Sequence, residues 1–116
     1  MPSARDDFFN RTIREVAETV RRIRARLDGG DPVDDVLPEV RAAEGTLLGG
    51  RGALLRMLDA RSAVQSLDPD AARVWVALLR LEADAHRRGG REEAARAVEA
   101  RADDLARQLP DDAGGS

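Results

Sequence analysis

The sequence contains no cysteine, no lysine and no tyrosine, and its single histidine is His86. Without cysteine the chain can form neither disulfides nor the thiolate sites used in catalysis and metal binding. One histidine cannot supply a cluster of histidine metal ligands, and no motif marks an acidic residue as its catalytic partner. We therefore predict a protein that is not an enzyme, with no catalytic residue, no metal ligand, no cofactor and no small-molecule ligand.

Long apolar runs are also missing. Nowhere do about eighteen apolar residues follow one another, as a membrane-spanning helix would require. The first residues, MPSARDDFF, lack the apolar centre of a signal peptide. These two absences predict a cytoplasmic protein that does not bind a membrane.

Charge of one sign is nowhere concentrated. Charged residues form 35% of the 116 residues, acids and bases are interspersed, and the net charge is −3. The six arginines between residues 11 and 26 alternate with Glu15 and Glu18, which favours a solvated face of ion pairs such as Arg11–Glu15 and Arg14–Glu18. The charge pattern therefore disfavours nucleic acid as a partner. A nucleic-acid accessory protein that binds through this Arg-rich first helix stays open as the alternative function.

The residues that are abundant favour helix. Ala, Arg, Leu, Glu and Asp dominate, and β-branched residues form few clusters. A chain of this length forms one domain with a modest core. We predict an all-α fold of about five helices over residues 1–109, followed by a disordered tail at 110–116.

The first helix is predicted over residues 5–28, ending at Gly29-Gly30. Its apolar residues recur at alternating spacings of four and three, as in a helix that pairs along a seam. With Phe8, which widens the seam, the predicted partner-binding residues are Phe8, Phe9, Ile13, Val16, Val20, Ile23 and Leu27. The expected partner is another protein or a second copy of the chain, which makes a homodimer. The other interpretation is that the seam packs inside its own chain.

The second helix begins after Asp31-Pro32 and extends to about Leu48. Pro38 lies too deep in it for a first-turn proline, so we expect a kink or a restart there. Residues 49–67 form a connector, with a glycine-rich corner (GGRG, 49–52) and a short helix that has Leu54, Leu55 and Leu58 on one side.

A second helical hairpin is predicted over residues 69–108. Asp68 is a favourable N-cap, Pro69 suits the first helical position, and Gly89-Gly90 forms the turn. Trp75 lies in the middle of the most apolar helix and is predicted to be core. When the chain is shifted by sixty residues, Gly29-Gly30 falls on Gly89-Gly90. The pattern therefore predicts two antiparallel hairpins, 5–48 and 69–108, packed side by side.

The second hairpin resembles a tetratricopeptide repeat. Leu78 and Leu81, the turn glycine, Glu92-Glu93 and the small Ala94 or Ala95 follow that repeat's order of large and small residues. Counting from Gly89 places Arg101 where the repeat has alanine, and counting from Gly90 places Glu99 at the aromatic position. The resemblance implies a helical-repeat fold.

Residues 6–109 also resemble a family of short bacterial proteins known only as a domain of unknown function. The shared pattern is a helix starting DFFNRTI (residues 7–13), a GD turn at Gly30-Asp31, a helix ending LLG (47–49) and a tetratricopeptide-like hairpin. This resemblance implies the same helical fold. It brings no functional residues with it.

Overall fold

The computed structural model describes residues 4–110, with side chains from residue 7 onward. This part of the chain contains no strand and forms six α-helices with one 3-10 turn, Gly49–Arg51, between α2 and α3. The predicted all-α class is confirmed. The helices are α1 Ala4–Asp28, α2 Val33–Leu48, α3 Gly52–Met57, α4 Ala60–Gln65, α5 Pro69–Arg88 and α6 Glu92–Arg107. Residues 111–116 of the predicted tail lie outside the described residues.

Two antiparallel hairpins form the body of the fold, as predicted. In the first, Arg26 near the end of α1 pairs with Glu39 near the start of α2. In the second, Arg80 Nη1 of α5 donates to Asp103 Oδ1 of α6 over 2.9 Å. The connector contains the two short helices α3 and α4.

The first helices of the two hairpins, α1 and α5, run parallel and in register. Arg24 Nη1 lies 2.5 Å from Asp84 Oδ2, and Arg88 Nη2 lies 2.8 Å from Asp28 Oδ1. Each ion pair joins residues sixty positions apart. The sixty-residue offset seen in the sequence is therefore also the register of packing between the hairpins.

Both double-glycine turns have the same backbone geometry. The second glycine of each pair has a positive φ, 95° at Gly30 and 80° at Gly90. The next amide bonds back across the turn, from Asp31 to the Arg26 carbonyl at 3.0 Å and from Arg91 to the His86 carbonyl at 2.8 Å. This left-handed helix ending favours glycine, which pays no steric penalty there.

The core is centred on α5, which packs against α1, α2 and α6. Three neighbours explain why its apolar surface is wider than a single stripe. Trp75 is fully buried, as predicted, and with it the largest buried side chains are Ile23, Leu27, Val36, Val40, Leu55, Leu78, Leu81 and Leu105.

Two local features in the first half of the chain differ from the sequence-based expectation. Helix α2 is one continuous helix through Pro38, so a restart at that residue is absent. Pro38 is exposed, so the carbonyl that loses its helical donor can be solvated, while Val36, Leu37 and Val40 hold the other side in the core. Leu54 does not join Leu55 on the inner side of α3; it faces solvent.

The start of α5 yields a test of local stability. The Asp68 side chain accepts the Asp70 amide at 2.8 Å, which satisfies one of the free donors at the helix N-terminus. Asp68→Ala should lower the free energy of unfolding by about 1 kcal/mol, measured by urea denaturation. Asp68→Asn keeps the acceptor and should remain near wild type. An equal loss in both variants would contradict a capping role.

Candidate interaction surface

Most of the predicted partner-binding seam is core of the same chain. Ile13, Val16, Ile23 and Leu27 are buried in the cluster that joins α1 to α2 and α5, and Val20 packs partly buried against it. The prediction that these residues bind a partner is therefore wrong for the four buried ones. The physical reason is that two helices of the same chain, α2 and α5, already cover this face of α1.

Phe8 and Phe9, the first two predicted partner-binding residues, are more exposed than the rest of the set. Phe8 is 68% exposed and Phe9 38% exposed. Every residue from 7 to 11 is exposed, and five residues exceed one helical turn, so this part of α1 is less covered by its neighbours than the rest of the helix. We call residues 7–11 the α1 overhang. It exists because a 25-residue helix, about 37 Å long, pairs with a 16-residue helix of about 24 Å.

A shallow cleft of about 250 Å³ lies between the α1 overhang and the start of the connector. Phe8 and Phe9 form one wall, and Leu47, Leu48 and Leu67 contribute apolar surface to the others. The two phenylalanines therefore belong to a larger apolar area, with Arg51 and Asp68 as its charged members.

Helix α3 adds two more exposed apolar side chains, Leu54 and Met57, the latter 85% exposed. Two arginines fix α3 to the body. Arg56 pairs with Glu44 of α2, and Arg101 Nη2 donates to the carbonyls of Leu55 at 3.0 Å and Leu58 at 2.8 Å. Leu54 and Met57 are thus displayed on a segment that is attached on both sides.

Beneath this surface lies a buried polar group that the sequence interpretation missed. Glu44 is buried, and one carboxylate oxygen accepts Trp75 Nε1–H at 2.8 Å while the other accepts from Arg56. The guanidinium of Arg101 lies 5.8 Å above the centre of the Trp75 ring. Its position in the sequence could have indicated this burial. Glu44 falls on the same helical stripe as Val40 and Leu47, where a carboxylate without a hydrogen-bond partner would be unfavourable.

His86 holds the second double-glycine turn in place. It is buried; its Nδ1 accepts from Arg91 Nε at 3.1 Å, and its Nε2 lies 3.6 Å from Glu82 Oε2. These contacts give it a structural role within the turn. Between residues 4 and 110, no group of three or more His, Cys, Asp or Glu side chains is placed to hold a metal ion.

The arginines of α1 divide into internal and outer members. Arg24 pairs with Asp84 of α5, and Arg26 bonds to Asp31 and Glu39, which raise the pKa of Arg26. These two arginines serve the hairpin packing and are not available to form a basic stripe.

The outer arginines do not form the predicted ion pairs. Glu18 bonds to Arg21 at 2.7 Å, and this hydrogen bond is the main reason why the pKa of Glu18 is lowered. The side chains of Arg11 and Arg14 have no hydrogen-bond or ion-pair partner among the described residues. Arg11 is the last residue of the α1 overhang, and Arg14 lies nearly one helical turn beyond it.

Comparison of the chain with protein-family models, with curated proteins and with solved structures gives no match. The resemblances to tetratricopeptide repeats and to the bacterial domain of unknown function stay predictions. No helix within residues 4–110 is both long and apolar enough to cross a membrane.

Proposed function

We propose that this chain is a non-enzymatic protein–protein interaction module, a scaffold, adaptor or self-associating subunit. The observation that carries the proposal is the α1 overhang, whose five residues are all exposed and include two phenylalanines. Large aromatic side chains are common anchors of protein interfaces because they bury much area at little cost in side-chain entropy.

The arrangement of the helices supports a binding role. Helices α1 and α5, the first of each hairpin, lie parallel, and α2 packs against both α1 and α5. This order resembles the stacking of tetratricopeptide-like hairpins. We propose that the two hairpins act as a short helical-repeat framework that holds the α1 overhang and α3 as rigid binding elements.

Affinity capture from extracts of the source organism tests the proposal. Phe8→Ser removes the most exposed phenylalanine and should abolish capture of the partner while leaving stability within about 0.5 kcal/mol of wild type. Serine suits this test because its helix propensity is similar to that of phenylalanine. The readout is quantitative mass spectrometry of the proteins retained by each variant.

Glu93→Ser, an exposed position on α6 far from the overhang, is the matched control and should retain the same proteins as wild type. If Phe8→Ser and wild type retain identical sets, including added copies of the chain itself, the α1 overhang is not an interaction site.

A further inference from the structure

We infer that Met57 is a site of reversible oxidation, at which transfer of one oxygen atom from a peroxide changes the exposed surface of α3 from apolar to polar. The effect on binding rests on the proposed function, because α3 is one of the binding elements proposed there. The oxidation site itself does not depend on that function and can be tested without a partner.

The side chain of Met57 is the most exposed large apolar side chain among the described residues, with 85% of its surface open to solvent. Other side chains that oxidants attack are absent or covered. The sequence has no cysteine and no tyrosine, and Trp75 and His86 are only 1% and 8% exposed. The other methionine, Met1, lies outside the described residues. Because oxidation follows exposure, Met57 is the most accessible oxidisable group in the part of the chain that the structure describes.

The packing of α3 holds Met57 on the outer side of the helix. Leu55, two residues earlier, is completely buried and fixes the inner side of α3 in the core. Arg101 Nη2 donates to the carbonyls of Leu55 at 3.0 Å and Leu58 at 2.8 Å. These two carbonyls lie on either side of Met57 in the chain, so the backbone that carries its side chain is held from α6.

The reaction is a two-electron oxygen transfer. The thioether sulfur of Met57 attacks one oxygen of hydrogen peroxide, an S–O bond forms and the O–O bond breaks. The sulfur is oxidised, the peroxide is reduced, and the leaving hydroxide takes the proton of the transferred oxygen to become water. The product is methionine sulfoxide, which sulfoxide reductases convert back to methionine, one enzyme for each epimer at sulfur.

The sulfoxide changes the surface of α3 while leaving the core as it is. Leu54 and Met57 are three residues apart and therefore neighbours on the helix surface, and both are exposed. Met57 is not one of the buried core residues, so its oxidation should not unfold the chain. A protein that packs against this apolar pair would have to bury the polar sulfoxide oxygen, which loses its hydration.

Peroxide treatment of the full chain at neutral pH, followed by peptide mapping with mass spectrometry, tests the site. Met57 should gain one oxygen atom at a rate within about threefold of that of a short peptide with the sequence of residues 54–60. The matched control is the double variant Leu55→Met, Met57→Leu, which moves the thioether to the buried position at nearly constant volume. Its oxidation should be at least about tenfold slower, because the close-packed core excludes the peroxide.

Hydrophobic-interaction chromatography and urea denaturation test the change of surface. The oxidised wild type should elute earlier than the reduced protein, with an unchanged urea midpoint, and treatment with both sulfoxide reductases should restore its retention. Met57→Leu treated with the same peroxide keeps Met1 and should keep its retention. This control separates oxidation at Met57 from oxidation at the first residue.

Equal oxidation rates at positions 55 and 57, faster oxidation of Trp75, or an unfolded oxidised chain would overturn the inference. In affinity capture, the oxidised wild type should retain at least about tenfold less partner than the reduced protein, because the sulfoxide oxygen would be buried. Unchanged retention, with Phe8→Ser still abolishing capture, would overturn the effect of Met57 on binding and leave the proposed function intact. Capture of no protein by any variant would overturn the proposed function, while the rate comparison would still decide the oxidation site.

Discussion

Ile23→Asp is expected to unfold the chain. Ile23 has an exposed fraction of 0% and lies where α1 meets the rest of the core. A carboxylate there would lose its hydration without gaining a partner, a change that destabilises by more than about 4 kcal/mol. That loss is a large share of the ~5–15 kcal/mol by which a domain of this size is stable. Far-UV circular dichroism and the emission of Trp75, the only tryptophan, measure the result.

The matched control is Arg22→Asp, a substitution at the neighbouring exposed position on the same helix. It makes the same acidic residue at a solvated site and should change the free energy of unfolding by less than about 1 kcal/mol. A folded, monomeric Ile23→Asp variant would mean that the seam of α1 is an interface between chains after all.

Glu44→Ala is expected to lower the free energy of unfolding by about 2–4 kcal/mol. The substitution leaves the Trp75 indole N–H in the core without its acceptor and removes the partner of Arg56. It also frees α3 from α2 at this contact. Urea denaturation followed by Trp75 fluorescence measures the loss, and the indole emission should also change in the folded state because its hydrogen bond is gone.

Glu44→Gln separates the hydrogen bond from the charge. The amide oxygen can still accept from Trp75 Nε1, so this variant should lose about half as much stability as Glu44→Ala or less. If both variants lose the same amount, the ion pair with Arg56 dominates and the Trp75 hydrogen bond contributes little.

Local features of the fold could be predicted from the sequence because short-range chemistry determines them. Asp68 and Pro69 begin α5 through an N-cap and a preset φ angle, and the glycine pairs at 29–30 and 89–90 end their helices through a left-handed residue. Pro38 shows the limit of such reasoning. The free-energy cost of a proline inside a helix depends on whether the affected turn faces solvent or the core, and only the tertiary structure decides which of the two it faces.

The candidate site could be predicted only in part. The spacing of apolar residues from Phe9 to Leu27 indicates that α1 packs along one face. The same spacing is expected whether that face packs against another chain or against the next helix of the same chain. Glu44 was not predicted as buried, because its place on the α2 stripe is acceptable only with Trp75 and Arg56 beside it, and both come from distant positions.

What the sequence by itself determined is the all-α class, the two hairpins and the sixty-residue offset between them, since periodicity, caps and glycine turns act within a few residues. What only the tertiary structure decided is which residues of the α1 seam are buried and which remain exposed. Helices α2 and α5 cover α1 from Ile13 onward, while the greater length of α1 leaves Phe8 and Phe9 exposed. The physical reason is that burial depends on where neighbouring helices end, and no residue of α1 carries that information.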